Sequence, residues 1–202
     1  MSKDQPYAVG LTGGIAAGKS EVQRILRMQG VPVLDTDHVA HAVMAAGEPA
    51  YHDIVKAFGK KILQQNGQIS RRHLGEIVFS DESARRALNA IVHPEVGRRW
   101  RTWLVEQSGE PLAVVSIPLL FECGWQDAFD GTLCIWAPEP MMINRLMTRG
   151  LTESQAKQRI QSQWPVDRKR SASTWSIPND GSLDALEKRV CSWLHHFRST
   201  PR

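Results

Sequence analysis

The sequence predicts an α/β fold in which helices cover a parallel β-sheet. Short apolar runs that are typical of buried strands alternate along the chain with stretches in which apolar residues recur at helical spacing. Strands that alternate with helices in this way indicate parallel βαβ units. The four predicted strands lie at residues 7–12, 31–34, 112–117 and 132–136.

The composition of the 202 residues indicates a globular protein with a mild excess of positive charge. Hydrophobic residues make up 42% of the chain, and the net charge is +4 with a sequence pI of about 9.1. That balance suits a polyanionic ligand. The positive charges are interspersed with acids, which argues against a nucleic-acid partner. No stretch approaches the roughly 20 apolar residues of a membrane helix, so no membrane partner is expected.

The cysteines and the N-terminal segment indicate a cytoplasmic protein. Cys123, Cys134 and Cys191 are scattered and lack the CxxC spacing of a metal or redox site. Unpaired thiols of this kind are typical of the cytosol. The N-terminal segment carries an acidic residue and only a short apolar run, which does not fit a signal peptide. The expected state is a monomer or a weak homo-oligomer.

The region between the second and third predicted strands, residues 39–110, interrupts the alternation and indicates a helical insertion. Helical stretches are predicted around residues 50–58, 71–79, 82–92 and 95–107. The breaks between helices are attributed to Gly59, Gly67 and the His93-Pro94 pair.

A second helical region, residues 145–172, is polar and basic, which predicts a mobile flap rather than core. Within it, Thr152 and Gln155 form a capping-box pattern that places a helix start at residue 152. The last predicted helix has a regular apolar stripe that should face the core. The stripe consists of Leu183, Leu186, Val190, Trp193, Leu194 and Phe197.

A phosphate-binding loop is predicted at residues 13–20, which read GGIAAGKS and match G-x-x-x-x-G-K-[ST]. Glycines allow a tight turn whose backbone N–H groups, with the positive end of the following helix, bind phosphate oxygens. In this pattern Lys19 reaches the β- and γ-phosphates, and the Ser20 hydroxyl takes one magnesium position. The loop predicts nucleoside triphosphate binding, but alone it does not distinguish a kinase from a switch GTPase.

Two aspartates, Asp35 and Asp37, follow the second predicted strand. Ligands of open parallel sheets bind beyond the carboxyl ends of the strands. If the strand continued, alternation would place both carboxylates on one side, where one could deprotonate an acceptor hydroxyl and the other could reach the metal. Alternatively, Thr36 or Asp37 merely caps the next helix.

Five sequence blocks resemble the dephospho-coenzyme A kinase family in order and spacing. They read GLTGGIAAGKS, VPVLDTDHVAH, SRRHLGEIVF, LNAIVHPEV and SIPLLFE. The resemblance implies a P-loop three-layer α/β/α core (1–38, 111–144 and 173–202), a helical CoA-binding insertion (39–110) and a helical lid (145–172). It also implies transfer of the γ-phosphoryl group of ATP, with Mg²⁺, to the ribose 3′-hydroxyl of the substrate dephospho-coenzyme A.

The resemblance further implies roles for matched residues. Asp37 is expected to be the catalytic base, assisted by Lys19 and by Arg145 at the start of the lid. Ser20 and Asp35 are expected near the metal, and the substrate side is assigned to Asp37, Arg71 and His93. Glu122 is expected to pair with a cation of the lid or of a helix. The implied cofactor-binding residues are Gly13, Gly14, Ala16, Ala17, Gly18, Lys19, Ser20, Glu21 and Arg149.

The chain departs from the family pattern at three places. Glu21 stands where threonine is usual, His41 where arginine is usual, and Ser173-Thr174 where an alanine-aspartate pair is usual. An anion at residue 21 is expected to weaken nucleotide binding, because it lies close to the phosphates.

Two rival functions are weighed against this interpretation. Another small-molecule or nucleotide kinase would share the loop and the lid but not the His-Pro and PLLFE segments. A GTPase or other nucleotide-dependent binding protein would share only the loop. Against the GTPase, the sequence contains no N-K-x-D guanine-reading tetrad.

Overall fold

The computed structural model describes residues 5–200, so residues 1–4 and 201–202, which the predicted core included, lie outside the described residues. The strands are β1 (Tyr7–Gly13), β2 (Val33–Asp35), β3 (Leu112–Ser116), β4 (Gly131–Trp136) and β5 (Trp175–Pro178). The α-helices are α1 (Lys19–Met28), α2 (Thr36–Val43), α3 (Pro49–Phe58), α4 (Arg71–Ser80), α5 (Glu82–Glu106), α6 (Glu139–Thr148), α7 (Glu153–Gln161), α8 (Val166–Ala172) and α9 (Leu183–Ser199).

The chain divides into two compact units. The sheet unit comprises the residues up to Leu34 and those from Gln107 onward, and the helical unit is Asp35–Glu106. The helical unit begins at residue 35, where the sequence predicts 39, and it ends at residue 106, where the sequence predicts 110. Residues 145–172 belong to the sheet unit, and their action as a separate lid stays a prediction.

The sheet unit is built on a five-stranded parallel sheet with the strand order β2-β3-β1-β4-β5. The central strand β1 is in parallel register with β3 and β4, and β4 with β5. Almost every residue of β1, β3 and β4 is buried. Continuous apolar strands are what a sheet covered on both faces requires, and the predicted α/β fold is confirmed.

Helices α1 and α9 pack against each other and contribute to the core of the sheet unit. The predicted stripe of α9 is buried except for Leu183, which is 65% exposed. Leu183 is the first residue of α9, directly after the cap Ser182, whose hydroxyl accepts from the N–H of Ala185. The stripe therefore begins one turn later than the sequence predicted.

The description of residues 145–172 as a flap rather than core is wrong at Lys169. This side chain of α8 is fully buried, and its Nζ lies 2.8 Å from Glu122 Oε1 and donates to the carbonyl of Pro118 at 2.8 Å. The same Glu122 oxygen accepts from the backbone N–H of Trp164. A buried lysine is stable only with partners of this kind. The predicted pairing of Glu122 is confirmed, as is the capping box at Thr152.

The helical unit corrects one predicted boundary, because α5 is a single helix that runs through Pro94. A proline inside a helix removes one hydrogen bond and crowds the preceding turn. The buried residues Val92, Val96, Trp100 and Leu104 recur every four positions on both sides of it. This stripe packs α5 against α2, α3 and α4, and the packing offsets the defect.

The three cysteines are free thiols. Burial raises the pKa of Cys123 and of Cys134 to about 11, so both are uncharged near neutral pH. The predicted absence of a disulfide framework is confirmed. Within residues 5–200, none of the helices combines the length and the apolar character that spanning a membrane would require.

Candidate active site

The glycine-rich loop connects the end of β1 to the start of α1 in a backbone path that lies close to neighbouring atoms at two glycines. Gly13 has φ +155°, and a Cβ atom there would lie 2.2 Å from the carbonyl oxygen of Ile135 in β4. A Cβ atom on Gly14 would lie 2.8 Å from Met142 Sδ. The glycines therefore let the loop lie directly against the sheet and α6.

The N-terminus of α1 is set up to receive an anion. Gly18, at φ +105°, is the residue before the helix, and its carbonyl accepts from the N–H groups of Glu21 and Val22. Glycine has no side chain that could cap the helix, so the partial positive charge of this end is available to a ligand. Lys19 and Ser20 open the helix, Lys19 half-buried and Ser20 exposed.

Two side chains hold the loop from its outer side. Arg145 donates from Nη1 to the carbonyl of Ala16 at 3.2 Å and from Nη2 to the carbonyl of Asn179 at 2.9 Å. Asn179 donates from Nδ2 to the carbonyl of Ala17 at 2.8 Å. The predicted catalytic residue Arg145 therefore lies at the loop, in contact with its backbone, and direct action on the phosphates stays a prediction.

Arg149 lies four residues after Arg145, at the C-cap position that directly follows Thr148, the last residue of α6. It is exposed, and among the described residues it takes part in no ion pair. This arrangement leaves its charge available to a phosphate ligand.

The negative charge of Glu21 is paired with the positive charge of Arg24 on the same helix. Its Oε1 accepts from Nε and Nη2 of Arg24, at 2.9 Å and 2.6 Å. The hydrogen bond to Glu21, followed by its charge, raises the pKa of Arg24. The anion that departs from the family pattern is therefore offset by a cation one turn along the same helix.

We expect Glu21→Thr to tighten ADP binding by about twofold to threefold. The substitution removes the carboxylate near the phosphates and frees Arg24 from its partner. The effect is small because water of high dielectric screens these charges. Isothermal titration calorimetry with Mg-ADP measures the change. The matched control is the double variant Glu21→Gln/Arg24→Gln, which leaves the net charge unaltered and should bind like the wild type. Weaker binding by Glu21→Thr would show that the carboxylate assists the nucleotide.

The two aspartates open the helical unit, and the structure corrects their local geometry. Strand β2 ends at Asp35 and α2 begins at Thr36, so strand alternation does not extend to Asp37. Asp35 is the cap of α2, and its Oδ1 accepts from the N–H of Asp37 at 3.0 Å. The capping role expected of Thr36 or Asp37 therefore belongs to Asp35, and Asp37 presents an exposed carboxylate in the first turn of α2.

Arg71 and His93 also lie in the helical unit. Arg71 Nη1 is 3.1 Å from His41 Nδ1, and because a guanidinium only donates, this ring nitrogen is the acceptor. Among the described residues Arg71 has no carboxylate partner, so its charge is available to an anion. His93 is half-buried within α5, and burial lowers the pKa of its ring, which favours the neutral form.

The departure at Ser173-Thr174 has a structural role between β4 and β5. The N–H of Thr174 donates to Thr132 Oγ1 at 3.0 Å. The N–H of Thr132 donates to Thr174 Oγ1, also at 3.0 Å. The hydroxyl of Ser173 donates to the carbonyl of Lys169. These bonds join the end of α8 to the sheet.

The residues around the loop suit magnesium that arrives with a nucleotide. Among the described residues no three His, Cys, Asp or Glu side chains are grouped to hold a metal ion. Mg²⁺ in nucleotide sites takes most of its ligands from phosphates and water, with one or two protein oxygens. The exposed hydroxyl of Ser20 in the first turn of α1 fits that requirement.

Asn179 is a loop contact that the sequence did not reveal. Asn179 directly follows β5, and the sequence predicts no strand at residues 175–178. A polar residue that directly follows a short apolar run was the available signal, since such positions lie at the ligand-binding edge of a parallel sheet.

Comparison with known proteins gives consistent matches along the chain. The family profile described as Dephospho-CoA kinase matches residues 7–185. A Dephospho-CoA kinase of Geobacillus kaustophilus is 43% identical over 192 residues, covering 94% of this chain and 96% of that protein. One of Arabidopsis thaliana is 39% identical over 204 residues, covering 95% and 88%.

Solved structures agree. A crystal structure from Thermus thermophilus matches with a TM-score of 0.82 at 36% identity, over 98% of this chain and 100% of that one. The Dephospho-CoA kinase from Campylobacter jejuni matches with a TM-score of 0.71 at 26% identity, over 95% and 96%. A shikimate kinase from Bacteroides thetaiotaomicron, at 14% identity and a TM-score of 0.53, shares the fold alone.

Proposed function

The chain belongs to the dephospho-CoA kinase family, and on that premise we propose how its residues move the γ-phosphoryl group of ATP to the ribose 3′-hydroxyl of dephospho-coenzyme A. The observation that carries the proposal is the loop, which presents the N-terminus of α1 with Lys19 and Ser20 at the end of the central strand. Phosphoryl transfer depends on positioning and charge neutralisation, and this arrangement supplies both.

The nucleotide is assigned to the loop and the first turn of α1. The N–H groups of residues 13–20 and the charge of Lys19 hold the β- and γ-phosphates. Ser20 would hold Mg²⁺ together with the phosphates, with Asp35 as a further candidate oxygen ligand, and the ion supplies charge neutralisation when bound. The cap of α2 occupies one oxygen of Asp35, which leaves acceptor capacity on that carboxylate.

The acceptor is assigned to the helical unit. Asp37, an exposed carboxylate, orients the 3′-hydroxyl and accepts its proton as the phosphoryl group transfers. Arg71 attracts a phosphate of the acceptor, because its described side-chain contact is with His41 and not with a carboxylate. His93, neutral through burial, acts as a hydrogen-bonding group and not as a fixed charge.

Residues 145–172 are proposed as the lid, with Arg149 as the cation that reaches the transferring group. Arg145, one turn earlier, stabilises the loop that carries those phosphates. Closure of such a segment would exclude water, which otherwise competes as an acceptor and hydrolyses ATP. The other two regions keep the bounds predicted from the sequence. Residues 1–38, 111–144 and 173–202 form the nucleotide-binding core, and residues 39–110 form the CoA-binding insertion.

The test of the substrate assignment is a competition among acceptors. With Mg-ATP and equal concentrations of dephospho-coenzyme A, AMP, shikimate and gluconate, we expect nearly all product to be phosphorylated dephospho-coenzyme A, measured by mass spectrometry. Shikimate is included because the fold is shared with shikimate kinases. Preferred turnover of any of the other three acceptors would contradict the assignment and favour a different small-molecule kinase.

A cytoplasmic location is also part of the proposal, because the three free thiols fit a reducing compartment. The chain is expected to act without nucleic acid or membrane, as a monomer or a weak homo-oligomer.

A further inference from the structure

We propose that Asn179 is a positioning residue for nucleotide binding: together with Arg145 it fixes the backbone of the loop in its phosphate-binding conformation before the nucleotide arrives. The inference deepens the proposed function and rests on it. It begins from the observation that the carbonyls of two consecutive loop residues, Ala16 and Ala17, are both held by side chains from outside the loop.

Asn179 is itself fixed to the sheet. The residue is 5% exposed and directly follows β5. Its backbone N–H donates to the carbonyl of Trp136, the last residue of β4, at 2.7 Å, and its carbonyl accepts from Arg145 Nη2 at 2.9 Å. The amide that contacts the loop therefore has a defined position, and the loop takes its position from the rigid end of the sheet.

Holding a carbonyl determines where the neighbouring N–H points. In a planar trans peptide the C=O and the N–H project to opposite sides. Because the carbonyl of Ala17 is directed at Asn179, the N–H of Gly18 is directed away from Asn179, toward the other side of that peptide. The N–H of Ala17 donates to the carbonyl of Gly14 and closes the turn. N–H groups oriented in this way form an anion-binding concavity.

The loop requires this external support because part of it is strained. Ala16 has φ +58°, a left-handed conformation that is unfavourable for a residue with a Cβ atom. A strained residue persists when its surroundings determine it. The hydrogen bond from Arg145 to the carbonyl of Ala16 helps to hold this residue in its strained conformation. Arg145 acts here together with Asn179, which holds the next carbonyl.

Gly18 and Asn179 are matched in space. A Cβ atom on Gly18 would lie 2.1 Å from Asn179 Nδ2, so the amide fills the volume that any larger residue at position 18 would need. The second glycine of the motif is thus required by its contact with Asn179 as well as by its φ of +105°.

The experiment compares ADP affinity, steady-state kinetics and melting temperature for Asn179→Ala and Asn179→Asp. A hydrogen bond of this kind makes a net contribution that corresponds to about twofold to tenfold in an equilibrium, and a loop that is less often in its competent state binds proportionally less tightly. We therefore expect Mg-ADP to bind about fivefold to tenfold more weakly to Asn179→Ala. Asn179→Asp, of the same size, should bind more weakly still, because a carboxylate would face the carbonyl of Ala17.

The kinetic signature separates positioning from a structural role. In the Asn179 variants, saturating ATP should return the loop to its binding-competent conformation. The KM for ATP should therefore rise, while kcat and the KM for dephospho-coenzyme A stay within about twofold of the wild-type values. The matched control is Gln23→Leu. Gln23 is also 5% exposed and its amide donates to Ser116 Oγ at 2.7 Å, outside the loop, so this variant should lose stability without losing ADP affinity.

Three outcomes decide the matter. Wild-type ADP affinity in both Asn179 variants, or an equal loss in Gln23→Leu, would overturn the proposal. If the Asn179 variants do not fold, Arg145→Gln provides the second arm, and it too should weaken ADP binding. Failure of the wild type to bind ADP would instead contradict the proposed function of the loop.

Discussion

Replacement of Lys19 by alanine is expected to lower kcat by about 100-fold to 1,000-fold, a loss of about 2.7–4 kcal/mol of transition-state stabilisation. Lys19 is the first residue of α1, directly after Gly18, and its ammonium group supplies charge where negative charge develops on the transferring group. The measurement is the initial rate with saturating Mg-ATP and dephospho-coenzyme A.

The fold should survive this substitution, because the half-buried Lys19 side chain lies at a loop and not among the apolar core residues. A melting temperature close to that of the wild type checks this point. Lys188→Ala is the control, since Lys188 pairs with Asp184 on the surface of α9 and is distant in sequence from the loop. If Lys19→Ala keeps the wild-type kcat, the assignment of the loop to the transferring phosphate is wrong.

The second large effect is expected from Asp37→Asn, which should lower kcat by about 100-fold or more, in the range found for loss of a general base. Asparagine retains the shape of the side chain but cannot accept the proton of the 3′-hydroxyl. ADP affinity should hardly change, because the carboxylate is assigned to the acceptor and not to the nucleotide. The measurements are kcat, ADP affinity by calorimetry and the melting temperature.

The structure sharpens this test, because Asp35 and not Asp37 caps α2. The bond from the N–H of residue 37 to Asp35 uses the backbone, and asparagine preserves it. Any loss of stability is limited to the favourable interaction of an acid with the first turn of a helix, about 0.3–1 kcal/mol. Asp53→Asn, at an exposed position of α3, provides the control. A stable, ADP-binding Asp37→Asn with full activity would eliminate Asp37 as the base.

Much of the sheet unit could be predicted from local patterns. The loop at residues 13–20 combines a fixed spacing with a preceding apolar strand, and both are readable from the sequence. The capping box at Thr152 and the stripe of α9 are likewise periodic or short-range patterns. These features depend on residues within one or two turns of each other, which is the range that sequence reasoning covers.

The features that could not be predicted depend on contacts between residues distant in sequence. Strand β5 has four residues and ends in a proline, so it carries little local signal, and it forms because it pairs with β4. The burial of Lys169 follows from Glu122, 47 positions away in the chain, whose pairing offsets the cost of burying the charge. Asn179 acquires its role through Ala17, 162 residues earlier.

The helix α5 shows a different limitation. The sequence predicts a break at the His93-Pro94 pair, because proline disfavours the interior of a helix. The stripe at Val92 and Val96 continues at a spacing of four across the proline, and the helices packed on it keep the segment helical. Packing outweighs local propensity here, and the apolar spacing of four that continues across the proline is the sequence signal for a single helix.

The most direct test of the account is to identify the hydroxyl that receives the phosphate. The wild-type protein is incubated with Mg-ATP and dephospho-coenzyme A, and the product is analysed by mass spectrometry and phosphorus NMR. We expect a gain of one phosphoryl group, with a new phosphorus signal coupled to the ribose H3′ proton, and one ADP formed for each product molecule. Phosphate on another hydroxyl, or ADP formed with free inorganic phosphate alone, would contradict it.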